Sequence, residues 1–209
     1  MTPDQLQRID AILRAAPVVP VLAIDDLDDA VPLAHALVDA GLPVLEITLR
    51  TPVALDAIRR MREVPGAIVG AGTVLNAHDL AAVEAAGAAF AISPGATDAL
   101  YAAAKSSAIP FLPGIATASE LMRGLEHGWM RFKFFPAEAS GGIATLKGFA
   151  GPFPQVKFCP TGGIDAAKAP GYRALPNVLT VGGSWMVPAD ALKARDWASI
   201  GMLAAEAAR

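Results

Sequence analysis

Cysteine, histidine and tyrosine are scarce in this chain of 209 residues: one Cys, three His and two Tyr, with aromatic residues at 6% in all. A single thiol, Cys159, excludes an internal disulfide framework and any cysteine cluster for zinc, and reads as a small buried hydrophobe. His35, His78 and His127 lie tens of residues apart in or beside helical segments, so they do not assemble a metal site, and no cofactor is expected. Long apolar runs are also missing. Mean hydropathy is +0.43, yet the longest uncharged stretches, such as 174–189, are broken by Gly and Pro and fall short of a membrane span. A soluble protein with no membrane partner is expected. Residues 1–10 alternate polar and apolar positions at helical spacing and carry acids, unlike a signal or transit peptide, which points to the cytoplasm. The net charge is only −3, with no basic run or interleaved aromatics, so nucleic acid is not an expected partner. An anionic ligand would have to find local positive groups.

Hydrophobic residues make up 54% of the chain, enough for one sizeable core, and no linker or charge block divides it. Residues 1–209 therefore read as a single domain. Short β-branched or apolar runs at 18–24, 44–49, 67–71, 89–92, 109–112, 131–134, 156–159 and 178–181 alternate with helical patterns. The helical patterns cover 28–40, 52–63, 77–86, 97–106, 118–127, 142–149, 165–172 and 189–208. Eight strand-helix units predict a parallel α/β fold, a (β/α)8 barrel, with an extra N-terminal helix over 4–15 across its bottom. Thr51 before Pro52, Asn76 and Thr97 are the expected helix N-caps, and Gly41, Gly87 and Gly128 stand where helices should stop.

Within this frame a few strands carry groups that packing alone would not choose. Lys133 sits in Arg131-Phe132-Lys133-Phe134-Phe135-Pro136, sharing one strand face with Arg131 and Phe135 while Phe132 and Phe134 face the other way. Burial disfavours the charged form of an amine, and a neutral amine attacks carbonyls, which makes Lys133 a candidate Schiff-base lysine. The plain alternative is an exposed edge-strand lysine that discourages aggregation. In the second strand Val44, Glu46, Thr48 and Arg50 alternate with Leu45, Ile47 and Leu49, so Glu46 and Arg50 would project into the barrel toward its C-terminal rim. A buried structural ion pair is the alternative there. Gly70-Ala71-Gly72-Thr73, Ser93-Pro94-Gly95 and Pro113-Gly114 keep the rim small and bent, favouring a cavity. Thr161-Gly162-Gly163-Ile164-Asp165 and Gly182-Gly183-Ser184-Trp185 place glycine pairs at the ends of the last two strands, where free backbone N–H groups can hold phosphate. Ser184 adds a hydroxyl; Asp165 reads as a helix cap.

The runs Leu45-Glu46-Ile47-Thr48-Leu49-Arg50-Thr51, Val69-Gly70-Ala71-Gly72-Thr73-Val74-Leu75, Ile92-Ser93-Pro94-Gly95, Phe132-Lys133-Phe134-Phe135-Pro136-Ala137-Glu138 and Cys159-Pro160-Thr161-Gly162-Gly163-Ile164 closely resemble, in order and spacing, the 2-keto-3-deoxy-6-phosphogluconate aldolase family, which also acts on 4-hydroxy-2-oxoglutarate. The resemblance, which runs from about Val18 to Asp190, implies a class I, pyruvate-dependent aldolase, a TIM barrel that typically assembles as a homotrimer. By motif, Lys133 matches the Schiff-base lysine and Glu46 the general acid/base. Arg50 and Thr73 match the binders of the keto-acid carboxylate. Gly162, Gly163 and Ser184, with Gly183 beside it, match the phosphate contacts, and Pro94, Phe135 and Thr161 the pocket lining. The products implied are pyruvate and glyceraldehyde 3-phosphate, or pyruvate and glyoxylate from the shorter substrate. Two other readings share the glycine-rich loops: a phosphosugar isomerase or epimerase, which has no need of a lumenal lysine, and a non-catalytic barrel in which Lys133 and Arg50 merely neutralise an anion.

Overall fold

In the computed structural model, which describes residues 1–209, the strands are all parallel and form a curled sheet with helices outside it, an α/β fold. Strands β1 (Val18–Leu22), β2 (Val44–Thr48), β3 (Ile68–Gly72), β4 (Ala91–Ile92) and β5 (Phe111–Leu112) follow one another, and β9 (Val181–Gly183) pairs with the free side of β1. A second ladder joins β6 (Gly114–Ile115), β7 (Arg131–Phe134) and β8 (Lys157–Pro160). Nine strands appear where eight were expected because Pro113, which has no N–H to donate, splits one run into β5 and β6. Its carbonyl still accepts from Lys133 N at 2.9 Å. Between β8 and β9 only isolated parallel bridges form, Phe158 with Val178 and Thr161 with Gly182.

Apart from β5, which runs straight into β6, each of β1 to β8 is followed by a helix that returns the chain: α2 (Ala30–Val38), α3 (Ala54–Met61), α4 (Ala77–Ala85), α5 (Asp98–Ser106), α6 (Ala118–Glu126), α7 (Gly142–Ala150) and α8 (Ala169–Arg173). The side chains of Asn76 and Thr97 accept from Asp79 N and Leu100 N as N-caps should, and Gly41, Gly87 and Gly128 take positive φ at the expected stops. Thr51 does not cap. Helix α3 begins only at Ala54, because the Thr51 hydroxyl is spent on Ile24 O at 2.5 Å, tying the loop after β2 to the loop after β1. The expected helix over 189–208 is two helices, α9 (Ala189–Lys193) and α10 (Trp197–Ala207). Arg195 between them has φ +55, held there by ion pairs to Asp29 at 2.7 Å and Asp26 at 3.0 Å.

The first helix, α1 (Pro3–Arg14), buries Ile9 and Leu13 and lies at the end of the sheet where strands begin. Gln5 Nε2 donates to Ala104 O and Ser107 O ahead of β5, and Asp10 receives Arg131 Nη2 at 2.8 Å at the start of β7. Strand β7 is central, paired on both sides, so Lys133 is not an edge-strand lysine. Phe132 on its outer face packs so tightly on α6 that a Cβ at Gly124 would stand 2.3 Å from the ring, and Phe134 meets Phe149 of α7 at 6.2 Å between ring centroids. Those aromatic contacts fix which way the strand faces, and therefore that Lys133 points inward.

Candidate active site

Lys133 and Glu46 meet inside the curl of the sheet: Nζ donates to Oε1 at 2.9 Å, with the lysine 5% and the glutamate 1% exposed. The two lie on different ladders, β7 and β2, and only the curl brings them together. The Phe135 ring centroid is 5.2 Å from Nζ, adding a π face to the amine's surroundings. A buried pair of this kind adds little net stability, since desolvating both ions offsets their attraction.

Room for the carboxylate comes from β3. A Cβ at Gly72 would lie 2.2 Å from Glu46 Oε1 and under 3.0 Å from its Cγ and Cδ, so only glycine lets the side chain reach Lys133. Gly72→Ala is expected to displace the Glu46 carboxylate and to leave buried Lys133 without its partner, lowering stability by about 3–5 kcal/mol. The denaturant midpoint of the variant measures it, and an unchanged midpoint would show that the carboxylate has another place to go.

The pair lies in a cavity of about 230 Å³ lined by 14 residues. All eleven residues expected at the site line it: Lys133, Glu46, Arg50, Thr73, Pro94, Phe135, Thr161, Gly162, Gly163, Gly183 and Ser184. Arg50 stands exposed at the mouth, its Nε donating to Thr48 Oγ1 at 3.0 Å. Thr73 has φ +60, a left-handed conformation that costs a β-branched residue about 1–3 kcal/mol and that persists where its surroundings require it. Gly162 and Gly163 follow β8 at φ +106 and +78, and their N–H groups, like that of Ser184, donate to no acceptor in the chain. The loop they form is fixed from outside, with Glu138 N donating to Gly162 O at 3.1 Å and Lys168 Nζ to Gly163 O at 2.9 Å. Asp165 accepts from Lys168 N at 2.9 Å in the turn before α8, but the helix itself begins only at Ala169 with Lys168 as its N-cap, so Asp165 does not cap it as expected.

A family model described as KDPG and KHG aldolase matches residues 9–203. The chain belongs to this family. In the match, KDPG is 2-keto-3-deoxy-6-phosphogluconate and KHG is 4-hydroxy-2-oxoglutarate. The KHG/KDPG aldolase of Escherichia coli (strain K12) is 58% identical over 199 residues, covering 95% of this chain and 93% of the relative. The 2-dehydro-3-deoxy-phosphogluconate aldolase of Dickeya dadantii is 57% identical with the same coverage. Among solved structures, KDPG aldolase from Legionella pneumophila, with pyruvate captured at low pH as a covalent carbinolamine intermediate, aligns with a TM-score of 0.93 at 51% identity, over 96% of this chain and 98% of that one.

Three lining residues of this aldolase had no role assigned from sequence: Val21, Thr48 and Ile164. Thr48 shares the inward face of β2 with Glu46, but its residue type alone assigns it no role. Cys159, Cα partner of Lys133 on β8, is buried, and burial pushes its thiol up to about 12. The thiol therefore stays protonated beside the pair and serves as packing. His35, His78 and His127 line no part of the cavity.

Proposed function

We propose that this aldolase cleaves 2-keto-3-deoxy-6-phosphogluconate to pyruvate and glyceraldehyde 3-phosphate, and 4-hydroxy-2-oxoglutarate to pyruvate and glyoxylate by the same chemistry. The observation that carries the reading is the buried Lys133–Glu46 pair at 2.9 Å in a cavity with a guanidinium at its mouth. Nζ passes a proton to Glu46, attacks the C2 ketone and expels water, leaving a protonated imine that accepts the electrons of the C3–C4 bond. Glu46, ionised again, removes the C4 hydroxyl proton as that bond breaks, and the aldehyde leaves. The same carboxyl then protonates C3 of the enamine, and water hydrolyses the imine to release pyruvate.

Arg50 and Thr73 hold the keto-acid carboxylate in this scheme, which sets C2 against the amine. The unpaired N–H groups of Gly162, Gly163 and Ser184, on the side of the cavity formed by β8 and β9, support a phosphate cradle. Gly183 keeps that wall thin, since a Cβ there would strike the Trp185 ring. Pro94, Phe135 and Thr161 line the space between the two ends.

We also read the chain as one (β/α)8 barrel over residues 1–209, a reading supported by the bridges between β8 and β9 and by the bond from Lys133 N to Pro113 O. A homotrimer fits the large apolar side chains left more than half exposed, Leu75, Met122 and Met202. No helix is long and apolar enough to cross a membrane.

Borohydride added with pyruvate is the direct test. The expected result is a three-carbon adduct on Lys133, read by peptide mass spectrometry. An unmodified Lys133 would leave the isomerase or the anion-binding reading standing in its place.

A further inference from the structure

Arg50 makes one hydrogen bond within the chain, and that bond comes from the end of its guanidinium that leaves the other end free. Thr48 Oγ1 donates to Leu22 O on β1 at 2.8 Å, and Arg50 Nε donates to Thr48 Oγ1 at 3.0 Å. The directions are forced. A hydroxyl has one proton and a carbonyl can only accept, so the proton goes to Leu22 O; a guanidinium N–H can only donate, so Oγ1 receives it. Thr48 is 3% exposed and β-branched, with few rotamers open to it, whereas Arg50 is exposed on a long flexible stem. The rigid partner therefore fixes the mobile one.

We infer that Thr48 is a positioning residue for the keto-acid carboxylate, holding Arg50 by Nε so that its two terminal nitrogens face the cavity and pair end-on with the carboxylate. The inference rests on the carboxylate-binding role proposed for Arg50. No carboxylate of the chain pairs with this guanidinium, so its terminal nitrogens have no competing partner. Without the anchor, Arg50 would have to be ordered by the substrate itself, and this ordering would weaken binding of pyruvate without touching the amine chemistry at Lys133.

The test compares pyruvate with pyruvamide, its uncharged analogue, in borohydride trapping at Lys133, taking the concentration that gives half-maximal labelling of each. Thr48→Val keeps the shape and removes both hydrogen bonds; its half-maximal pyruvate concentration is expected to rise about tenfold while that of pyruvamide stays within about twofold. Maximal labelling should be unchanged, and Thr48→Ser should restore the preference for pyruvate. A ratio of two substrates does not depend on how much of the variant is folded. Should Thr48→Val lose affinity for both compounds equally, its role is structural and the inference falls. Should Arg50→Met leave the preference for pyruvate intact, the carboxylate-binding reading of Arg50 falls first. A collapse in Arg50→Met without one in Thr48→Val overturns the positioning role alone.

Discussion

Lys133→Ala is expected to abolish turnover, with a loss of at least roughly 10⁴-fold in kcat/KM for the phosphorylated substrate, measured by coupled release of pyruvate. Enzymes accelerate their reactions by about 10⁶-fold at the least, and here the imine nitrogen is the only electron sink the proposed mechanism provides. The variant also removes one half of a buried pair. Glu46, 1% exposed, would be left without its counter-ion, at a cost of about 3–5 kcal/mol, so lost activity could be confused with lost folding. The double variant Lys133→Met with Glu46→Leu removes that ambiguity. Replacing a buried ion pair by apolar residues of similar size is commonly neutral or stabilising by about 1–4 kcal/mol. The double variant is therefore expected to unfold at the parent denaturant midpoint or above it, and to be inactive. A double variant clearly less stable than the parent would make the pair a structural prop, and appreciable turnover in Lys133→Ala would remove the Schiff base from the mechanism.

Much of this site could be read from residue order because strands impose a period of two. The alternation in β7 placed Phe132 and Phe134 against helices and Lys133 inside; the alternation in β2 did the same for Glu46. What the pattern could not contain was the meeting of the two, 87 residues apart, since nothing local links β2 to β7. Thr48 went unassigned for a different reason: threonine is a common strand residue, and its function lies in bonds to Leu22 and Arg50 that composition does not reveal. The boundaries that moved also did so through tertiary contacts. The last strand, expected over 178–181 with the glycine pair at its terminus, lies instead over Val181–Gly183, where Gly182 and Gly183 pair with Val19 and Pro20. Pro113-Gly114 likewise looked like the end of a run, but Gly114 continues as β6, in a place so close to Pro94 that a Cβ would lie 2.3 Å from its carbonyl carbon. Arg195 breaks the last helix through aspartates 166 and 169 residues away.

Glu46→Gln is expected to separate the two halves of the reaction. The amide keeps an oxygen that can accept from Lys133 Nζ and nearly the same volume, so the pocket keeps its shape, but it cannot take and return a proton. Imine formation with pyruvate should survive, seen as borohydride labelling of Lys133, while exchange of the pyruvate methyl protons with solvent should slow by about 10²–10⁴-fold. The lining of the cavity makes this a sharp test. Its other polar side chains are Arg50, Thr48, Thr73, Thr161 and Ser184, a permanently charged donor and four hydroxyls, none of which serves as a base near neutral pH. Glu46 is the one carboxylate there, and no histidine lines the cavity. Even a water carrying the proton would need a base to deliver it to, and Glu46 is the one within the cavity. Exchange at the parent rate in Glu46→Gln would mean that the proton reaches C3 from outside the cavity, and Glu46 would then be only the counter-ion of the buried amine.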